Sequence, residues 1–169
     1  DHGDYMGDHW MGEKDLFHDP SVRVPLIIAD PRASADATRG TVCNRLVEQI
    51  GLAATFVEMA GGEVPRHILE GRSLLPLLEG HDIDWRDYAI SEYDYATREA
   101  RQIIGNMQQD ARLIMICDAR WKYVHCEGFR PMLFDLANDP QELLDLGASP
   151  DHADVRARLH EAIFEWSRK

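Results

Sequence analysis

Cysteine is scarce in this sequence: Cys43, Cys117 and Cys126 form no C-x-x-C pair. An odd count without that spacing argues against a disulfide framework or a zinc ribbon. Free thiols suit a reducing compartment, so a cytoplasmic location is expected, with the periplasm as the alternative. Positive charge is in deficit as well, with 18 Lys and Arg against 30 Asp and Glu and a net charge of −12. General binding to duplex nucleic acid needs clustered cations to displace counterions, so nucleic acid is excluded as a partner. No window approaches the ~20 apolar residues of a membrane span. The best run, Val22 to Ala29, has the length of a strand and carries Arg23, so no membrane partner is expected. Repeats and low-complexity tracts are missing too. What is present, 44% apolar and 28% charged residues, is enough to build a core and argues against wholesale disorder. A chain of 169 residues can bury roughly 70% of its unfolded surface in one or two modest domains.

The chemistry is concentrated at the front. Residues 1–10 read Asp-His-Gly-Asp-Tyr-Met-Gly-Asp-His-Trp, dense in side chains that bind metals or move protons. Unanchored termini fray, so the chain is expected to be a fragment that begins within a motif, its upstream part ending in a strand leading into Asp1. Asp1 and His2 are adjacent, and neighbours on a regular strand point to opposite faces. Both reach one ion where the strand has ended and the backbone turns, which Gly3 permits. Carboxylate plus imidazole suits a divalent cation, and further ligands must come from elsewhere. A simple turn with an Asp cap is the structural alternative.

Lys14 is the single lysine in the first hundred residues, set among Asp4, Asp8, Glu13, Asp15 and Asp19. Near a metal loop it would bind the non-bridging oxygens of a phosphoryl or sulfuryl group as a point charge; the alternative is a surface ion pair. Histidine is the side chain suited to moving protons near neutrality, so His9 and His18 are candidates for general acids and for substrate contact, or else they hydrogen-bond within the loop.

Further along, Val22 to Ala29 reads as a buried strand ended by Asp30-Pro31. Val42, Leu46, Ile50, Ala53, Val57 and Ala60 form a helical stripe closed by Gly61-Gly62. Pro76 limits Leu74 to Leu78 to a helical turn, and Gly80 to Asp87 reads as a linker. Tyr88 to Tyr95, Arg112 to Cys117, Trp121 to Cys126 and Met132 to Asp135 predict an antiparallel sheet, with Asp118-Ala119-Arg120 as a hairpin connection. A last helix starts at Ser149-Pro150, with Val155, Leu159, Ile163 and Trp166 on the face packed against the sheet. The acidic, aromatic stretch Glu92 to Tyr95 is a candidate surface for a homo-oligomer.

A series of short motifs resembles, in order and spacing, the C-terminal half of type I sulfatases of the alkaline phosphatase superfamily. It comprises Asp1-His2-Gly3, Gly7-Asp8-His9, Gly12 with Lys14, Asp19-Pro20-Ser21 and Arg23-Val24-Pro25-Leu26-Ile27. Gly71 to Leu78, Trp85-Arg86-Asp87, Trp121-Lys122-Tyr123, Leu133 to Leu136 and Asp139-Pro140-Gln141-Glu142 continue it. Asp19-Pro20-Ser21 and Tyr123-Val124-His125 are most similar to the phosphonate monoester hydrolase branch. The resemblance implies an α/β fold: residues 1–84 as the last part of a largely parallel sheet domain, and 85–169 as a smaller antiparallel sheet with a C-terminal helix.

It also implies one divalent ion (Mn, Ca or Mg, with Zn as a further option) bound by Asp1 and His2. Lys14 matches the family's active-site lysine, which holds the anionic group of a sulfate, phosphate or phosphonate ester. The family's nucleophile is a formylglycine made from a C/S-x-P-x-R motif, and none of the three cysteines is followed by that Pro. Half of an active site is therefore expected, inactive without the missing N-terminal part. His18 stands where many sulfatases carry Tyr, and Ala54-Thr55 where a Pro-Thr is usual. Two alternatives stay open: a non-catalytic metal-binding or assembly module, and a superfamily phosphodiesterase or mutase with a Ser or Thr nucleophile and two metals.

Overall fold

The computed structural model describes residues 2–105, 107 and 110–168. By packing the chain falls into two compact units, Asp1–Pro25 with Ile90–Lys169, and Leu26–Ala89. This grouping follows contacts rather than chain order and differs from a division at residue 84.

The first unit is built on a four-stranded sheet in the order β3 (Ala89–Asp94), β4 (Arg112–Cys117), β5 (Trp121–Cys126), β6 (Met132–Asp135). Three of these ranges are those the sequence predicts to the residue, and β3 lies inside the fourth. Asp118 explains the sharp β4–β5 turn, because its Oδ1 accepts the N–H groups of Arg120 and Trp121 at 2.8 and 2.6 Å. β5 runs antiparallel to both neighbours, pairing Met115 with Val124 and Tyr123 with Leu133.

All but one of the β5 residues are buried, which is why the strand shows no alternation of polar and apolar residues. Its odd face, Trp121, Tyr123 and His125, meets helix α5 (Ala153–Ser167), with Tyr123 hydrogen-bonded to His160 at 3.2 Å. Leu159 and Ile163 are fully buried on that helix, each contributing roughly 1.5–3 kcal/mol. Trp166, expected on the packed face, is 40% exposed; it falls near the end of α5, beyond Ile163. A short 3-10 turn, Pro150–His152, precedes α5, with the Ser149 hydroxyl 2.9 Å from His152 Nδ1.

The other face of β5 covers a core of Phe17, Tyr95, Ala111, Leu113, Met115, Val124 and Cys126. Phe17 brings the opening segment onto this core, and Leu16 and Val22 pack beside it. That segment holds a two-residue hairpin, β1 (Tyr5–Met6) with β2 (Gly12–Glu13), and a single helical turn, α1 (Asp19–Val22). Tyr95 is buried and the Tyr93 hydroxyl donates to Asp15 at 2.5 Å, so both aromatics of the Glu92–Tyr95 stretch have partners within the unit.

The second unit contains α2 (Ile50–Met59) and the helical turn α3 (Leu75–Leu78). Thr55 joins them, its Oγ1 donating to Gly51 O at 2.7 Å and accepting the Leu74 N–H at 2.9 Å. α2 starts eight residues after Val42, where the sequence stripe begins; Val42 is 85% exposed and supplies no burial to extend the helix. The strand expected over Val22–Ala29 is also different. Val22 belongs to α1, and residues 23–30 join no ladder among the described residues; a run rich in apolar residues becomes a strand where a neighbour takes its backbone groups. No helix among the described residues is long and apolar enough to cross a membrane.

Candidate active-site segment

Residues 2–23 form a loop held in unusual backbone conformations. His9, Trp10, Glu13 and Leu16 all have positive φ, between 50° and 61°, a region that costs non-glycine residues energy and persists where the surroundings enforce it. Gly3, at φ 80°, lies so close to α1 that a Cβ would meet the Ser21 carbonyl oxygen at 2.6 Å. Only glycine fits there.

Lys14 gathers the ends of this loop. Its Nζ donates to the carbonyl oxygens of His2, of Gly3 at 3.3 Å and of Ser21 at 2.7 Å. The predicted catalytic lysine and His2 of the predicted metal pair are thus brought together through the backbone. Asp1 lies outside the described residues. His2 is exposed, and no group of three or more His, Cys, Asp or Glu suited to a metal ion occurs among the described residues. The described side chains do not by themselves make a metal shell.

His9 and His18 stack, ring centroids 3.9 Å apart and planes 15° from parallel. Beneath them Tyr5, 2% exposed, accepts the His18 backbone N–H at 3.3 Å and lies 2.9 Å from His18 Nδ1. Burial holds the Tyr5 pKa up at about 12, helped by the Glu142, Asp15 and Asp8 carboxylates. Burial, then the neighbouring His9 and Lys122, push His18 down to about 4. At neutral pH the phenol therefore donates to a neutral imidazole. His9 stands at the edge of a groove of about 470 Å³ whose lining also includes Asp8, Asp19, Arg23 and Glu142; His18 does not line it.

One group at this site escaped sequence reasoning. Lys122 on β5 is 1% exposed, and its Nζ lies 2.5 Å from Asp19 Oδ1 and 2.6 Å from Glu142 Oε1. Glu142, 2% exposed and at φ 57°, also accepts the Asp19 N–H at 2.6 Å. The available signal was a lysine within a strand of mostly apolar and aromatic residues, at a position whose alternation with Val124 and Cys126 points it inward.

Comparison with known proteins now decides the family. The model for the C-terminal region of N-sulphoglucosamine sulphohydrolase matches residues 7–169. The chain belongs to that sulfatase family. The chain is 34% identical to the multifunctional alkaline phosphatase superfamily protein PehA of Trinickia caryophylli, over 98% of this chain and 32% of that one. It is 30% identical to an arylsulfatase of Clostridium perfringens, again over 98% and 32%. Its fold superposes on the phosphonate monoester hydrolase of Agrobacterium radiobacter with a TM-score of 0.85 and 38% identity, covering 96% of this chain and 32% of that structure. This sulfatase-family chain spans about a third of the length of the curated relatives it matches. The α/β fold of the alkaline phosphatase and sulfatase type is thereby shown, and the relatives are ester hydrolases by name.

Proposed function

We propose that this chain supplies the C-terminal share of a hydrolase of sulfate or phosphate/phosphonate esters, with residues 1–84 contributing to its catalytic α/β domain and 85–169 to a smaller subdomain. The observation that carries the reading is the placement of the Lys14 ammonium on the carbonyls of His2 and Gly3. A fixed cation beside His2 is what an anionic ester group needs, because a preorganised charge stabilises developing negative charge without reorganising. An ammonium has three donors, and three carbonyls engage them here. The contact to Gly3, at 3.3 Å, is the longest and is the one a substrate oxygen would replace. His9, at the groove, makes the contact to substrate, and the neutral His18 behind it fixes the His9 ring.

One divalent ion belongs in the reading, with Asp1 and His2 as two ligands and the remainder from outside this chain. Such an ion would supply Lewis-acid stabilisation of the ester oxygens. The nucleophile, a formylglycine in this reading, also lies outside, since no C/S-x-P-x-R motif occurs in the sequence.

The test is hydrolysis of p-nitrophenyl sulfate and p-nitrophenyl phenylphosphonate by the protein expressed from its complete reading frame. Lys14→Ala should lower kcat/KM by about 100-fold or more, as expected when a transition-state charge contact is removed. An unchanged kcat/KM overturns the role of Lys14, and a wild type that cleaves neither ester overturns the whole reading.

A further inference from the structure

Resting on that reading, we infer that Lys122, a residue of the antiparallel sheet, is a positioning residue for Lys14. Taking a lysine and two carboxylates out of water is costly, and a well-packed apolar side chain often serves stability as well or better. The strand neighbours of Lys122 are Cys117 and Phe134, an environment that would accept methionine. What the buried charge does instead is hold α1 by its first residue.

Asp19 is fixed from three sides. Its Oδ1 takes the Lys122 ammonium at 2.5 Å, its backbone N–H donates to Glu142 Oε2 at 2.6 Å, and its Oδ2 accepts from Arg23 at 3.3 Å. Glu142 is carried to this place by a left-handed backbone conformation, stabilised by its N–H to Asp139 O at 3.1 Å. Two residues along α1, the Ser21 carbonyl takes Lys14 Nζ at 2.7 Å and lies against Gly3 without room for a methyl group. Ser21 is 1% exposed, so α1 is enclosed on this side. The path therefore runs from β5 through Lys122 to Asp19, along one helical turn to Ser21 and on to the Lys14 ammonium. A shift of α1 moves an acceptor that places the charge, and misplacement of about 1 Å costs on the order of 100-fold in rate.

The experiment is a double-mutant cycle in the protein from the complete reading frame. Lys122→Met with Glu142→Gln removes both buried charges, while Asp19 keeps Arg23. It should lower kcat/KM for the aryl esters about 10- to 100-fold. It should raise the inhibition constants of inorganic sulfate and phosphate by a similar factor and move Tm by less than about 5 °C. In a Lys14→Ala background the same pair should cost nothing further, since residues acting as one unit are not additive. An undiminished kcat/KM, or an equal loss in the Lys14→Ala background, overturns the positioning role while leaving the functional reading intact. A wild type that cleaves neither ester fails the functional reading itself, and this inference falls with it. Should the pair not fold, Asp19→Asn, which keeps the Lys122–Glu142 ion pair, carries the same cycle with the same outcomes.

Discussion

At the scale of single residues, the opening segment depends on groups whose protonation burial has set. His18 is held neutral with a pKa of about 4, below the ~6.5 of an exposed imidazole. The unfolded chain therefore binds more protons between those values, so the contribution of His18 is complete above pH ~6.5 and is lost as pH falls toward 4. An NMR titration of the His18 ring should show a midpoint below pH 5, and a midpoint near 6.5 would contradict the Tyr5–His18 arrangement. Gly3 is the second sensitive position. Gly3→Ala sets a methyl group against the Ser21 carbonyl at a positive φ, and strain of this kind costs about 1–3 kcal/mol. Urea denaturation should register that loss; no loss would mean that the segment is not seated on α1.

At the scale of elements, β5 is the shared wall of the first unit: one face meets α5 and the other meets the opening segment. Leu159 is buried completely at the α5 contact, and Leu159→Ala should destabilise by about 2–5 kcal/mol through lost transfer energy and a residual cavity. A cost below about 1 kcal/mol in chemical denaturation would show that α5 is loosely docked. His160 on the same helix is pushed down by burial and by His125, so its sign agrees with that of His18 and both favour the folded chain at neutral over mildly acidic pH. In the second unit, Thr55 ties α2 to the Leu74 backbone. The hydroxyl leaves no polar atom unsatisfied, a condition a buried helix–helix contact must meet.

At the scale of the molecule, charge and chemistry point the same way. A net charge of −12 concentrates no cations for a polyanion, whereas the proposed function asks only one lysine, fixed by three carbonyls, to hold a single ester group. Fluorescence anisotropy with a duplex oligonucleotide at about 50 mM salt should show no binding. Sub-micromolar affinity would demand a basic surface that the composition does not provide.

The sequence by itself determined the four-strand sheet, the α5 register through Leu159 and Ile163, and the family, because each rests on local signals or on short motifs in fixed order. Two readings of the fold needed the tertiary structure. The apolar run after Val22 looks like a strand to any periodicity argument, but a strand exists where a neighbour pairs with it. The stripe from Val42 looks helical, yet helix forms only from Ile50, and the residues it buries are Gly51, Ala54 and Thr55 rather than the stripe. The candidate site divides in the same way. Lys14 and His2 were legible as residue types, and the structure adds that Lys14 Nζ joins the His2, Gly3 and Ser21 carbonyls. Asp19 is more than a hundred positions from both Lys122 and Glu142 in the chain, and a charge bound over that span leaves no trace in local sequence. Their union required the strand order, which aims one face of β5 at the opening segment.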